Sequence, residues 1–201
     1  MDRPHYNLNI PMKFRPWVSL DDPRLEHPNP THEVDIALDD LRLHNPELID
    51  FLGELGMEVS HLRLFRSRPW ARYSIHIDLS PDDYADTEYA RAADQIVKLN
   101  FIFNSWGTRM QWFQQAQGQR PQRNNNSGFS FYSFDPKTCA RVYDTVCDRD
   151  CLIHAGRIHT AFNTANNDQD RMCYSLFLVS AQGELNWDRA VTILTPWLDV
   201  A

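Results

Sequence analysis

No run of 18 apolar residues occurs anywhere in the 201-residue sequence, so no membrane-spanning helix is expected. The opening stretch, MDRPHYNLNIPMKFRPW, lacks the apolar centre of a secretory leader. Positive charge is scarce. Lys and Arg number 20 against 27 Asp and Glu, a formal net charge of −7. That balance argues against a broad nucleic-acid surface and leaves Arg109, Arg120 and Arg123 as the one local basic group of interest. Cysteine is sparse. Cys139, Cys147, Cys151 and Cys173 contain no CxxC pair, which argues against a structural zinc site, although Cys147 and Cys151 are local neighbours in sequence. Internal repeats are absent. The expectation is a soluble cytoplasmic protein with reduced thiols and no membrane partner.

Hydrophobic residues make up 42% and aromatic residues 12%, enough for one ordered domain with a good core. Six prolines fall before residue 31, so residues 1–31 read as an extended arm and 32–201 as a single domain. HEVDIAL, His32 to Leu38, alternates as a strand does. NPELIDFLGELGM is the best helix, with Asn45 as its cap, Pro46 at its first position, Leu48, Phe51, Leu52 and Leu55 as its apolar stripe, and Gly56 as its stop. Short strands are expected at about 58–66, 71–79, 95–104, 108–114, 129–134, 140–146, 151–154, 158–163 and 171–179. Many short strands with few helices predict a mainly β sandwich, jelly roll or barrel. The acidic piece SPDDYADTEYARAAD reads as surface with one helical turn. Gln114–Gly128, polar and low in complexity, reads as a loop that is either a lid over a site or plain disorder. Near the end, NWDRAVTILTPWL sets Trp187, Val191, Leu194 and Trp197 at helical spacing as a packing stripe.

Chemistry concentrates in two places. In RYSIHIDLS, strand alternation puts Ser74, His76 and Asp78 on one face and Ile75, Ile77 and Leu79 on the other. An imidazole and a carboxylate on one face are either an ordinary solvated pair or two ligands of one metal. The second reading needs a distant third ligand. CLIHAGRIHTAFNTANNDQDRMCYSLFLV offers it: His159 opens a short strand and Arg171 opens a strongly apolar one twelve residues later. On that last strand Arg171, Cys173 and Ser175 share a face. His154 is the rival to His159, but it lengthens the interval to Arg171. His5, His27, His32, His44 and His61 have no partner pattern and read as surface or packing residues.

His76-x-Asp78, a distant His159 and then Arg171 resembles the iron(II)- and 2-oxoglutarate-dependent oxygenases, most of all the small aspartyl/asparaginyl β-hydroxylase-like members. The resemblance covers about residues 58–180 and includes QIVKLNFIFNSWGTRMQWFQ and the HTAFN strand. It implies a double-stranded β-helix, a cupin-like jelly roll with a few flanking helices. It also implies iron(II) on His76, Asp78 and His159, and 2-oxoglutarate held through Arg171, with Ser175 as a helper. Ser175 stands four residues after the arginine where relatives use Arg-x-Ser. The implied activity is hydroxylation of an amino acid, a small metabolite or a protein side chain. Tyr73, Asn100 and Trp112 fall on strands that line the cavity in such a fold, and if the 114–128 loop is a lid and not plain disorder, its Arg120 and Arg123 would suit an acidic substrate. Two other readings stay open. One is a cupin-type metal enzyme without 2-oxoglutarate, although the later acids Asp82 and Asp83 match a cupin motif poorly. The other is a metal-free jelly roll that binds a partner.

Overall fold

The computed structural model describes residues 3–78, 96–117, 122–126, 129–164, 168–180 and 185–199. Twelve strands are described, in two six-stranded sheets with every pairing antiparallel. The first sheet holds β1 (His5–Asn7), β2 (Thr31–Ile36), β3 (Met57–Ser67), β5 (Val97–Phe103), β10 (Cys151–His154) and β12 (Arg171–Ser180), in the order β1-β10-β5-β12-β3-β2. The second holds β4 (His76–Asp78), β6 (Arg109–Gln115), β7 (Gln122–Asn126), β8 (Phe129–Ser133), β9 (Cys139–Val146) and β11 (His159–Phe162), in the order β7-β8-β4-β11-β6-β9.

From β3 to β6 the chain alternates between the sheets, and from β9 to β12 it alternates back. Each outgoing strand pairs with a returning one: β3 with β12, β4 with β11, β5 with β10, β6 with β9. One long antiparallel ribbon is thereby wound into a helix, which is the double-stranded β-helix form of the jelly roll. The winding brings β4 and β11, about 80 residues apart in sequence, into direct contact.

The two faces of the first sheet are both buried, for different reasons. On β12, Met172, Tyr174, Leu176 and Leu178 point outward into a large apolar cluster, while Cys173 and Phe177 point inward between the sheets. The outward face is covered by three helices, α1 (Leu38–His44), α2 (Pro46–Glu54) and α3 (Trp187–Leu194), and by the N-terminal arm. Phe14 of the arm stacks on Phe101 with ring centroids 4.2 Å apart. The Tyr174 hydroxyl accepts a hydrogen bond from the Val18 amide at 2.8 Å. Burying one such aromatic ring contributes about 1.5–3 kcal/mol, which is how an arm with little secondary structure stays attached. Because helices and arm take up the outward apolar face, the inward face is free to carry polar groups.

Three expectations need correction. Asn45 does not cap α2 with its side chain. Its amide instead clamps the arm, accepting from the Arg15 amide at 2.7 Å and donating to the Arg15 carbonyl at 3.0 Å. The 114–128 stretch is not all loop, since β6 runs to Gln115 and Gln122–Asn126 forms the edge strand β7, in register with β8. An edge strand is held by its backbone ladder and needs no apolar alternation, so its Asn and Gln residues hid it. The 71–79 strand is reduced to β4, preceded by an isolated bridge from Arg72 to Phe162. Leu79, the acidic stretch that follows it, Asp82, Asp83 and Arg120 lie outside the described residues.

Candidate metal centre

Between the sheets lies a small cavity of about 40 Å3, lined from the second sheet by β4, β6 and β11 and from the first by β3, β5, β10 and β12. His76 and His159 are direct cross-strand partners of β4 and β11, which aims both imidazoles into the same space. Their ring centroids are 4.5 Å apart. Asp78, two residues along β4, shares the face of His76. Its carboxylate stands 3.5 Å from His76 Nε2 and 3.7 Å from His159 Nε2. His159 and Asp78 are buried and His76 is partly so.

The tautomers follow from the backbone. His76 Nδ1 lies 2.6 Å from the Ser74 carbonyl and His159 Nδ1 lies 2.8 Å from the Arg157 carbonyl. A carbonyl only accepts, so in each ring Nδ1 carries the hydrogen and the neutral imidazole presents its Nε2 lone pair. Two lone pairs and a carboxylate therefore converge. That arrangement is repulsive unless a proton or a cation sits among them. Ligand imidazoles fixed through Nδ1 on a carbonyl are also what metal centres use to hold their histidines. The donor set of two imidazoles and one carboxylate fits iron(II), with positions left free for other ligands.

Lys98 is the residue that sequence reasoning missed. It lies on β5, is 1% exposed, and donates to Asp78 Oδ2 at 2.7 Å. Its ammonium also sits 3.8 Å from the centroid of the Phe177 ring, a cation–π contact. Burial pushes the Asp78 carboxyl up, but the Lys98 ammonium and then His76 outweigh it and hold the carboxyl well below the usual range. Burial drives the His159 imidazole down to about 3, with His76 adding to the drop. For His76, burial is the largest influence and opposes protonation, yet the hydrogen bond and charge of Asp78 together with the Ser74 carbonyl outweigh it and raise the pKa above its ordinary value.

These directions predict how metal binding depends on pH. His159 is already free of its proton near neutrality, whereas His76 must give one up. Divalent metal affinity should fall about tenfold per pH unit below the His76 pKa, with one proton released per ion bound and not two. Manganese titrations at several pH values, followed by calorimetry in buffers of different ionisation heat, check both numbers.

The remaining sequence candidates divide into those facing the cavity and those turned away. Arg171, Cys173 and Ser175 line it from β12, Asn100 from β5, and Tyr73 from the segment before β4. Ser175 Oγ donates to Asn100 Oδ1 at 2.7 Å, so the two act as one polar pair. Arg171 is 3% exposed, its Nε has no hydrogen-bond partner, and among the described residues no carboxylate forms an ion pair with it. Trp112 sits behind the site, its indole donating to the His154 carbonyl at 3.3 Å. His154 stacks on Trp187 at 5.1 Å on the far side of the first sheet and takes no part.

No protein-family model and no curated protein matches this chain. Solved structures do. E. coli ycfD is 15% identical at a TM-score of 0.44, covering 94% of this chain, which spans 43% of that protein's length. EvdO2 from Micromonospora carbonacea var. aurantiaca, solved as its 2-oxoglutarate complex, is 16% identical at a TM-score of 0.42, with 86% and 74% of the two chains covered. An oxidoreductase of the 2OG-Fe(II) oxygenase family from Burkholderia pseudomallei is 11% identical at 0.39, with 78% and 68% covered.

Proposed function

We propose that this chain is an iron(II)- and 2-oxoglutarate-dependent oxygenase that hydroxylates an amino acid, a small metabolite or a protein side chain. One observation carries the reading: the cavity that gathers His76, Asp78 and His159 also holds a buried Arg171 that has no carboxylate partner among the described residues. A buried cation without a counter-charge is costly, so Arg171 is built to receive an anion. 2-Oxoglutarate supplies one at the correct end, because its keto acid group chelates a metal while its far carboxylate reaches an arginine fork. A cupin-type metal site without 2-oxoglutarate leaves Arg171 without a purpose, and a metal-free binding module gives the convergence of two imidazoles on one carboxylate no purpose.

Bound at this site, iron(II) with 2-oxoglutarate would supply oxygen activation, coupling loss of CO2 from 2-oxoglutarate to oxidation of a substrate C–H bond. The chain's own residues do the rest. His76, Asp78 and His159 would hold the metal. Lys98 keeps Asp78 ionised and fixes the carboxylate through Oδ2. Arg171 anchors the far carboxylate of the cosubstrate, and the Ser175–Asn100 pair gives a polar patch beside it. Phe65, Met110 and Ala161 form apolar walls that limit water. We assign residues 32–201 as the catalytic domain with 1–31 as its arm, and a cytoplasmic location. No described helix is long and apolar enough to cross a membrane.

The test is anaerobic loading with iron(II), then release of succinate from 2-oxoglutarate once air is admitted. Succinate above the rate of the metal-free protein is expected, and its absence in fully loaded protein sinks the reading. Arg171→Ala should raise the 2-oxoglutarate concentration for half-maximal rate by about thirtyfold or more, the equivalent of about 2 kcal/mol for a lost buried charge pair. Iron affinity should change little. An unchanged cosubstrate requirement removes Arg171 from its role.

A further inference from the structure

A second group of ligand atoms lies apart from the first. His5 sits on β1, Cys147 directly after β9, and Cys151 at the start of β10. Both cysteines are fully buried and His5 is 1% exposed. The two sulfurs are 3.4 Å apart, and one ligand atom from each of the three residues lies within 4.8 Å of the others. Apart from the Cys147 thiol beside it, neither ring nitrogen of His5 has a hydrogen-bond partner among the described residues. A buried imidazole normally satisfies at least one, and each unmade bond costs about 1–3 kcal/mol. The ring lies 6.2 Å from the face of Trp112, which offers it nothing polar.

We propose that His5, Cys147 and Cys151 form a structural zinc site that fastens the N-terminal arm to the barrel. Tetrahedral zinc, with bonds of about 2.3 Å to sulfur and about 2.0 Å to nitrogen, sets its ligand atoms roughly 3.5–3.8 Å apart; the two sulfurs stand near that spacing and the His5 nitrogen lies within 4.8 Å of both. Two thiolates and a neutral imidazole around a divalent cation sum to zero charge, which suits a dry interior. Thiolates also select a softer ion than the imidazole–carboxylate centre does, so the two sites divide zinc from iron. Three protein ligands leave the fourth position to a small neutral one. The surrounding backbone already brings the pieces together. Asn7 is the register partner of Cys151, the Leu8 amide donates to the Asp150 carbonyl at 2.8 Å, and the Cys147 amide donates to the Thr108 carbonyl at 2.7 Å. The spacing rule that argued against zinc looks for a CxxC pair, whereas here a Cys-x3-Cys turn is completed by a histidine more than 140 residues away.

The experiment uses the full chain carrying His76→Ala and His159→Ala, which disables the first centre. Purified under reducing conditions, it should hold one zinc per chain by elemental analysis. Replacing that zinc with cobalt(II) should give thiolate-to-cobalt charge-transfer absorption and the visible bands of a tetrahedral ion. Adding Cys147→Ser and Cys151→Ser should abolish both. If those serine variants do not fold, the cobalt spectrum of the parent still decides. Zinc-free protein that takes up cobalt without charge transfer overturns the proposal. So does a Cys147–Cys151 disulfide in the freshly isolated chain. Either result leaves the oxygenase reading untouched.

Discussion

His159→Ala should abolish succinate release and lower iron(II) or manganese(II) affinity by more than about a hundredfold, since losing only a supporting hydrogen bond at a metal centre costs roughly 10–100-fold. The fold should survive. His159 makes one hydrogen bond, to the carbonyl of Arg157 two residues before it, and the ring otherwise borders the cavity. Loss of that bond is worth about 1 kcal/mol, which moves the melting temperature of a chain this size by about 2–4 °C. Metal titration, succinate release and a thermal melt on the same preparation separate the two effects. A variant that keeps wild-type metal affinity removes His159 from the centre. His76→Ala should behave alike, since its Nδ1 bond is also to a carbonyl two residues away.

The strand geometry explains how the three candidate ligands come together. β4 contributes two from one face, and its direct partner in β11 contributes the third, so no loop needs to be ordered to assemble them. The same winding places Arg171, the first residue of β12, in the cavity that His76, Asp78 and His159 also line. A short apolar wall then suffices to shield the chemistry, because the bulk of the core lies outside the first sheet, under the arm and helices.

The parts of this arrangement that were legible in the sequence are those that obey a period. Alternation put His76 with Asp78 and Arg171 with Cys173 and Ser175, and a capping proline with an apolar stripe marked α2. The parts that were not legible break a period or need a partner far away. β1 is three residues inside a proline-rich arm. β7 has no apolar residue to alternate. α1, LDDLRLH, is too short to show a stripe, and its one fully buried residue is Leu41. Lys98 is hidden in VKLNFIF, a strand apolar enough to read as plain core. One lysine inside such a run was itself the clue, since a buried ammonium must have a carboxylate waiting for it.

That pairing leads to the largest stability effect expected in this molecule. In the metal-free protein, Asp78→Ala should cost about 3–5 kcal/mol, because it strands the Lys98 ammonium in the interior. The melting temperature should fall by about 6–20 °C, far more than for His159→Ala, although both remove a candidate metal ligand. Adding Lys98→Met to Asp78→Ala should restore most of the loss, since methionine fills the lysine's space against Phe65 and Phe177 without a charge. The pH dependence gives an independent check. Burial lowers the Lys98 pKa below 10.5 even with Asp78 present, and without the carboxylate it should fall further. The unfolded chain then binds the proton that the folded one has lost, so the stability of Asp78→Ala should rise with pH through the neutral and alkaline range. In the wild type the Asp78 carboxyl, held below 3.8, adds stability above that pH and surrenders it only as strong acid protonates it. Asp78→Ala with Lys98→Met should show neither slope. Denaturant melts of the three proteins at several pH values measure this directly. If Asp78→Ala is as stable as the wild type at neutral pH, the lysine is not confined with Asp78 as its counter-charge, and its part in holding the metal ligand falls with it.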